Sequence, residues 1–224
     1  MKIIFIISII ITIINNFRAC ESIMCRPNNV FYQVFTPPGG GKTTLASDLV
    51  RKIMRNADDD KKAVYSNVPI IGAYRFDMED LGKYLLKDCV LIIDEAGAEL
   101  SNRNWQHNLT MQQIKTLKLH RHYNIDIWLF SQSYNDVDNK FRELTTGLYM
   151  LKKSIIPFRI NAQAIVKNLD LIGGAIVEFF EWDKPNFFHF WSIPNWAYFN
   201  TEQVNEHLPK KFFTRYKKID INNI

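Results

Sequence analysis

The chain has 224 residues, 47% of them hydrophobic and 23% charged, a composition that supports a buried core and excludes an intrinsically disordered chain. A net charge of +5 and a pI near 9.0 suit an anionic partner, nucleic acid or membrane, without selecting one. The three cysteines, Cys20, Cys25 and Cys89, make neither a paired metal spacing nor an even disulfide set, which points to reduced thiols.

The first feature along the chain is an apolar run over residues 3–14, interrupted only by Ser8 and Thr12. It is shorter than the roughly 20 residues a spanning helix needs. Three readings stay open: a short membrane anchor with Arg18 and Arg26 on the cytoplasmic side, a buried extra strand, or an extension ahead of a true start at Met24. Residues 30–35 are β-branched and aromatic and stop at Pro37, Pro38 and three glycines, so they read as a strand followed by a turn. Residues 43–55 read as a helix with Leu45, Leu49, Ile53 and Met54 on one face. The stretch 56–62, with Asp58, Asp59 and Asp60, reads as a solvated loop rather than a metal site.

Residues 63–67 form a short strand stopped before Pro69, residues 78–86 a helix, and residues 89–94 an apolar strand of the buried parallel kind. A long polar helix over 106–122 precedes a second buried strand at 126–131. A short helix over 136–144 and a strand at 148–152 come next. Beyond Pro157 the pattern becomes three strands, 159–166, 175–182 and 187–191, with a turn at Asp183-Lys184-Pro185-Asn186. Strands alternating with helices up to about residue 152 predict an α/β fold with a mainly parallel sheet flanked by helices, extended at its edge by an antiparallel C-terminal part. The expected organisation is an apolar segment at 1–23, a core at 24–155, and a β-rich extension with a basic tail at 156–224.

A strand, a glycine-rich turn and a helix opening on Lys42-Thr43 is the context in which such a loop binds phosphate. The nucleotide-binding candidates are Pro38, Gly39, Gly40, Gly41, Lys42, Thr43 and Thr44. Glycines let backbone N–H groups wrap the phosphates, and the helix N-terminus adds a positive dipole. Lys42 neutralises the β and γ oxygens, and the Thr43 hydroxyl ligates Mg²⁺. Position 36, where the standard pattern has glycine, holds Thr36, which costs the loop one flexible hinge.

A second, independent signal is the apolar run 90–93 leading into Asp94-Glu95. Downstream of a phosphate loop, Asp94 holds Mg²⁺ through water and Glu95 polarises the attacking water as general base. The pair makes ATP and Mg²⁺ the expected cofactors and hydrolysis the expected reaction. Gln132, at the end of the 126–131 strand, is a candidate sensor of the γ-phosphate, with a turn-capping role as the alternative. Arg142 is a candidate arginine finger for a neighbouring subunit, or else a surface charge. Lys115, Lys118, His120, Arg121 and His122 either touch phosphates or form a solvated basic face. The tail residues Lys210, Lys211, Arg215, Lys217 and Lys218, interleaved with Phe212, Phe213 and Tyr216, suit an anionic membrane, DNA, or plain solvent. The aromatic cluster over 187–196 reads as core or interface rather than a base-stacking platform.

With these residues in hand, the chain resembles the zonula occludens toxin-like (Zot) family, the assembly ATPases of filamentous bacteriophages, within the FtsK/HerA-like group of ASCE P-loop NTPases. Pro38, Gly39, Gly41, Lys42 and Thr43 match the family's loop. More specific is Arg121-His122-Tyr123-Asn124-Ile125-Asp126-Ile127, followed by Ser131-Gln132, Val137-Asp138 and Phe141-Arg142. The resemblance covers about residues 30–153. It implies an ATP-driven motor at the host inner membrane with its ATPase domain on the cytoplasmic side. It further implies a ring-forming homo-oligomer that exports or packages phage single-stranded DNA, or its protein complex, together with other phage assembly proteins. A general FtsK/HerA-type translocase and an ATP-switched, membrane-associated assembly protein with little turnover are the alternatives.

Overall fold

The computed structural model describes residues 29–55, 62–84, 86–95, 111–172 and 175–199. The apolar N-terminal run, the Asp58-Asp59-Asp60 loop, residues 106–110 of the expected polar helix and the basic tail lie outside these described residues. The regular elements in chain order are β1 (Phe31–Phe35), α1 (Lys42–Arg55), β2 (Ala63–Ser66), β3 (Tyr74–Arg75), β4 (Cys89–Ile93) and α2 (Met111–Lys118). They continue with β5 (Ile125–Ser131), α3 (Asn139–Arg142), β6 (Gly147–Lys153), β7 (Arg159–Ile172) and β8 (Ala175–Trp191).

Among the described residues, eight strands join one sheet in the order β3-β2-β4-β5-β1-β6-β7-β8. The strands from β3 through β6 run parallel, and β7 and β8 continue the sheet antiparallel beyond β6. This is the expected α/β architecture, a mainly parallel sheet extended at its edge by an antiparallel part. The sheet runs without a break across the 155/156 boundary drawn from the sequence, because β6 pairs with β7 from Leu148↔Ile165 to Lys153↔Ile160.

The centre of the sheet is buried on both faces. In β4, all five residues are buried, with Val90 and Ile92 facing one cluster and Cys89, Leu91 and Ile93 the other, the period-2 alternation of a strand. Burial pushes the Cys89 thiol up to about 12, so it behaves as an inert core residue. Helix α1 covers the first face with Leu45, Ala46, Leu49 and Val50; the i, i+4 spacing of Leu45 and Leu49 stacks them on one stripe. Leu117 of α2, with Phe76, Met78, Leu81 and Leu86, covers the second. Each large apolar side chain so buried contributes about 1.5–3 kcal/mol relative to exposure.

Several local expectations change in the tertiary setting. The helix expected over 78–86 is only a 3-10 turn, Met78–Asp80, followed by a bridge between Leu81 and Tyr84. Gly82 takes φ +87, and a Cβ there would lie 2.9 Å from the Gln112 backbone, so the segment bends away from a helix to pass close to α2. The described part of the polar helix ends at Lys118, and turns carry the chain to β5. The helix expected over 136–144 is split into a 3-10 turn, Tyr134–Asp136, and α3, separated by the buried Val137. β3, unnoticed in the sequence, is two residues long and exists through its pairing with β2.

The expected turn at Asp183-Lys184-Pro185-Asn186 lies inside β8 instead. Opposite β7 the register passes from Ile165↔Trp182 to Gln163↔Phe187, so β8 carries extra residues there as a bulge. A proline and a turn-forming composition fit a bulge on an edge strand as well as a turn.

Candidate phosphate-binding site

β1 delivers the loop at the C-terminal edge of the parallel strands, between β5 and β6. Thr36 is 2% exposed. Its N–H donates to the Ser131 carbonyl at 3.3 Å and its hydroxyl to the Leu151 carbonyl at 3.1 Å. The residue that departs from the glycine pattern therefore ties the start of the loop to the strands on both sides. Its side chain also occupies the space over Gly40, where any Cβ would collide with Thr36 Oγ1. The loop has thus exchanged one glycine requirement for another.

Gly39 and Gly41 have φ values of +72 and +100, a region L side chains rarely adopt. Gly41 is further confined by Ile160 of β7, whose Cδ1 would meet a Cβ there. The turn closes through Gly40 N–H donating to the Pro37 carbonyl at 3.0 Å, and the helix takes over with Leu45 N–H donating to the Gly41 carbonyl at 3.0 Å. The first turn of α1, Lys42, Thr43 and Thr44, offers N–H groups that have no intrahelical acceptor, and with them the positive end of a fourteen-residue helix. The Lys42 ammonium folds back over the loop and donates to the Thr36 carbonyl at 3.4 Å.

The second half of the site comes from the end of β4. Asp94 is 5% exposed, and its Oδ2 accepts from the Thr43 hydroxyl at 3.2 Å. Its backbone is clasped by Asn67, at the end of β2. Asp94 N–H donates to Asn67 Oδ1 at 2.8 Å, and Asn67 Nδ2 donates to the Asp94 carbonyl at 2.9 Å. Its other oxygen accepts from the Glu95 N–H at 2.9 Å. Burial pushes the Asp94 carboxyl above its ordinary value, against the pull of the Glu95 N–H, Lys42 and the Thr43 hydroxyl. Glu95 is exposed and holds φ +53, a left-handed conformation that costs a non-glycine residue about 1 kcal/mol or more.

Thr43 and Asp94 present oxygen ligands only, the donor set of a hard cation such as Mg²⁺. Among the described residues no group of three or more His, Cys, Asp or Glu gathers as a metal cage. Mg²⁺ characteristically takes one or two protein oxygens and completes its shell with water and phosphate, so the residues present fit it.

The structure brings Lys42, Thr43, Asp94 and Glu95 together. Gln132 stands one residue beyond β5, whose Ser131 pairs with Phe35, so it lies on the same edge beside the loop and is exposed. Arg142 is positioned otherwise. Its guanidinium lies 4.6 Å over the Tyr134 ring and donates to Asn135 Oδ1 at 3.0 Å, while its buried Nε finds no hydrogen-bond partner among the described residues.

The basic group before β5 divides. Lys115, Lys118, Arg121 and His122 are exposed. His120 is not: it is 2% exposed, its Nδ1 sits 2.8 Å from the Leu117 carbonyl, and its ring packs edge-on against Phe31. Both expectations for His120, phosphate contact and solvated face, are corrected to core packing, and burial pushes its pKa down. Asp126, part of the resemblance motif, anchors β1: its carboxylate accepts from the Asn29 and Val30 N–H groups at 2.7 and 3.1 Å and pairs with Lys62 at 2.8 Å. In the aromatic cluster Phe188 and Phe190 are core, whereas Trp191 and Trp196 are exposed.

Two sets of residues escaped the sequence reading. Asn67 carried one weak signal, an amide directly after the strand beside β4. Asp48, Arg51 and Asn195 carried none. Asp48 is fully buried in α1, bound by Arg51 at 2.5 Å and Lys52 at 2.6 Å, and Asn195 donates to it at 3.2 Å while accepting from Arg51 at 2.8 Å. This network fastens α1 to the 3-10 segment Ile193–Tyr198.

Among solved structures, the N-terminal domain of zonular occludens toxin from Neisseria meningitidis is similar at 18% identity and a TM-score of 0.48, over 62% of this chain and 84% of that one. The genome packaging NTPase of Sulfolobus turreted icosahedral virus 2, in complex with ATP-gammaS, is similar at 12% identity and a TM-score of 0.43, over 67% and 96%. A KaiC-like protein from Pyrococcus horikoshii is similar at 11% and 0.41, over 68% and 90%. No curated protein sequence matches the chain. Among the described residues no helix is long and apolar enough to cross a membrane. The model of the zonular occludens toxin (Zot) family matches residues 73–192, more than half of the sequence and including Asp94, Glu95, Gln132 and Arg142, and the chain belongs to that family.

Proposed function

We propose that the protein is an ATP-hydrolysing motor of phage assembly, working as a homo-oligomeric ring at the host inner membrane and driving single-stranded DNA, or its protein complex, outward. The observation that carries the enzymatic part is the hydrogen bond from Thr43 to the buried Asp94 beneath the glycine loop, with Glu95 next in the chain. The Zot family membership carries the phage part.

In this reading the loop N–H groups and the α1 N-terminus hold the β- and γ-phosphates, and the Lys42 ammonium neutralises their oxygens. Thr43 and Asp94 would hold Mg²⁺, which when bound supplies charge screening for the phosphate oxygens. Glu95 accepts a proton from the water that attacks the γ-phosphorus, and Gln132 orients that water. Arg142 leaves Tyr134 and enters a neighbour's site, where it balances the charge that builds on the transferring group.

The test is nucleotide binding and turnover by defined variants. Lys42→Ala is expected to lose ATP-analogue binding. Glu95→Gln is expected to keep binding and to lose turnover by roughly 10²- to 10⁴-fold, the span of general-base contributions. A wild-type protein with no turnover in the presence of Mg²⁺, single-stranded DNA and membranes overturns the motor reading. Stronger stimulation by double-stranded than by single-stranded DNA transfers it to a duplex translocase.

A further inference from the structure

The β6–β7 connection and the 3-10 segment after β8 together expose a compact set of large apolar side chains. Ile155 is 104% exposed, Phe158 53%, Ile193 52% and Trp196 53%, with Ile156 and Trp191 beside them. They form one surface: the Phe158 and Trp196 rings meet edge-to-face at 5.7 Å, and Arg159 pairs with Trp191 across the strands.

The turn that bears Ile155, Ile156 and Phe158 is closed by hydrogen bonds. Ser154 N–H donates to the Arg159 carbonyl at 3.0 Å, and Arg159 N–H to the Ile156 carbonyl at 3.3 Å. Phe158 sits at φ +62, strained for an aromatic residue, and its carbonyl accepts from both the N–H and the hydroxyl of Ser192, at 2.8 and 3.1 Å. The fold therefore maintains an exposed apolar tip where burial would be the cheaper arrangement.

Charge identifies what such a tip meets. The charged residues nearest to it in the chain, Lys152, Lys153 and Arg159, are all basic. Lys152 and Lys153, at the end of β6 just ahead of the tip, are exposed, with the Lys152 ammonium 4.0 Å over the Trp182 ring. A second copy of this chain would bring the same positive charges against it, and a nucleic acid, a polyanion met through its phosphates and base edges, does not call for isoleucines. Tryptophan, phenylalanine and isoleucine at an exposed turn, with lysine and arginine beside it in the chain, are the composition of a surface that inserts shallowly into an anionic bilayer. The geometry points to a peripheral membrane-docking tip, formed by Ile155, Ile156, Phe158, Ile193 and Trp196 with Lys152 and Lys153 as its electrostatic rim.

This deepens the proposed function by assigning a surface to the membrane, and it rests on that reading only for which membrane is met. The tip is mechanically continuous with the phosphate loop. Ile160, two residues from Phe158, packs on Gly41, and Asn195, next to Trp196, binds the Asp48–Arg51 pair of α1.

The experiment uses the full chain without nucleotide, so its outcome is separate from that of the ATPase tests. Intrinsic tryptophan fluorescence is followed on adding vesicles of phosphatidylcholine, with or without phosphatidylglycerol, whose acyl chains are brominated. Neither residues 1–28 nor 200–224 contain tryptophan, so membrane contact by either terminus alone does not produce the signal. Quenching is expected with the anionic vesicles and little with phosphatidylcholine alone. Ile155→Asp combined with Phe158→Asn, an amide that tolerates the left-handed backbone, is expected to weaken it by about tenfold or more. Trp191→Phe with Trp196→Phe is expected to remove most of the quenching while the protein still sediments with vesicles. Sedimentation without quenching in the wild type, or quenching undiminished in the Ile155→Asp, Phe158→Asn variant, overturns the proposal. If that variant instead abolishes a self-associated species and leaves quenching unchanged, the tip belongs to a contact between copies.

Discussion

Where the loop has threonine at 36 instead of glycine, the Thr36 hydroxyl reaches the Leu151 carbonyl and the side chain fills the space above Gly40. Gly40→Ala should therefore overpack the loop, at about 1–3 kcal/mol, and weaken ATP-analogue binding measurably. Thr36→Gly in the same chain should restore much of it, a coupling that a double-mutant cycle would read directly. Asp94 makes a different residue-level prediction. Burial raises its pKa, so the folded state favours the protonated form. Stability from that group is fully present at acid pH and is lost as pH rises through its raised folded-state pKa. Asp94→Asn should accordingly melt higher than wild type near neutral pH without Mg²⁺, with the gap closing in acid, while Mg²⁺-dependent turnover disappears. A melting series across pH checks the sign.

At the scale of elements, α1 carries two duties that meet in its first two turns. Its N-terminus faces the phosphate loop, and its middle holds the buried Asp48, paired with Arg51 and Lys52 and bonded to Asn195. Removing the carboxylate leaves two largely buried cations without their partner, so Asp48→Ala should cost about 3–5 kcal/mol in urea unfolding. Asn195→Ala should cost less, because Arg51 and Lys52 keep Asp48. The antiparallel pair β7–β8 is an integral part of the domain for the same kind of reason. Ala162, Ala164, Phe188 and Phe190 belong to the core cluster under α1, and Ile160 closes over Gly41.

For the molecule as a whole, the open question is what completes the site. Arg142 is engaged by Tyr134 and Asn135 of its own chain, so a role in a neighbour's site requires that it be released on assembly. Arg142→Ala should then depress turnover only in the assembled ring. Mixing it with Glu95→Gln subunits should restore part of the activity, since some interfaces then carry an intact Glu95 and an intact Arg142. Turnover unaffected by Arg142→Ala at concentrations where the protein is assembled would show that the residue is an intrachain brace.

The features legible in the amino-acid order are those that chemistry imposes locally. The glycines before Lys42 need left-handed or crowded backbone, the all-apolar β4 needs burial on two faces, and Asp94-Glu95 follow it directly. Each is complete within a few residues, and the alternation of apolar strands with helices carried the parallel sheet as well. What tertiary structure decided lies in contacts between residues far apart in the chain. Thr36 became a steric partner of Gly40 and a tether to Leu151, and Asn67 became the clasp of Asp94. Asp48 met Asn195 from across the sequence, and His120 turned inward among basic neighbours. A four-residue turn signal at Asp183-Lys184-Pro185-Asn186 became a bulge because β7 was there to pair with it. Local composition records what a backbone can tolerate, whereas the neighbour that arrives determines which tolerated state is occupied. Thr36 had no neighbours in the one-dimensional reading and two strands in the folded protein.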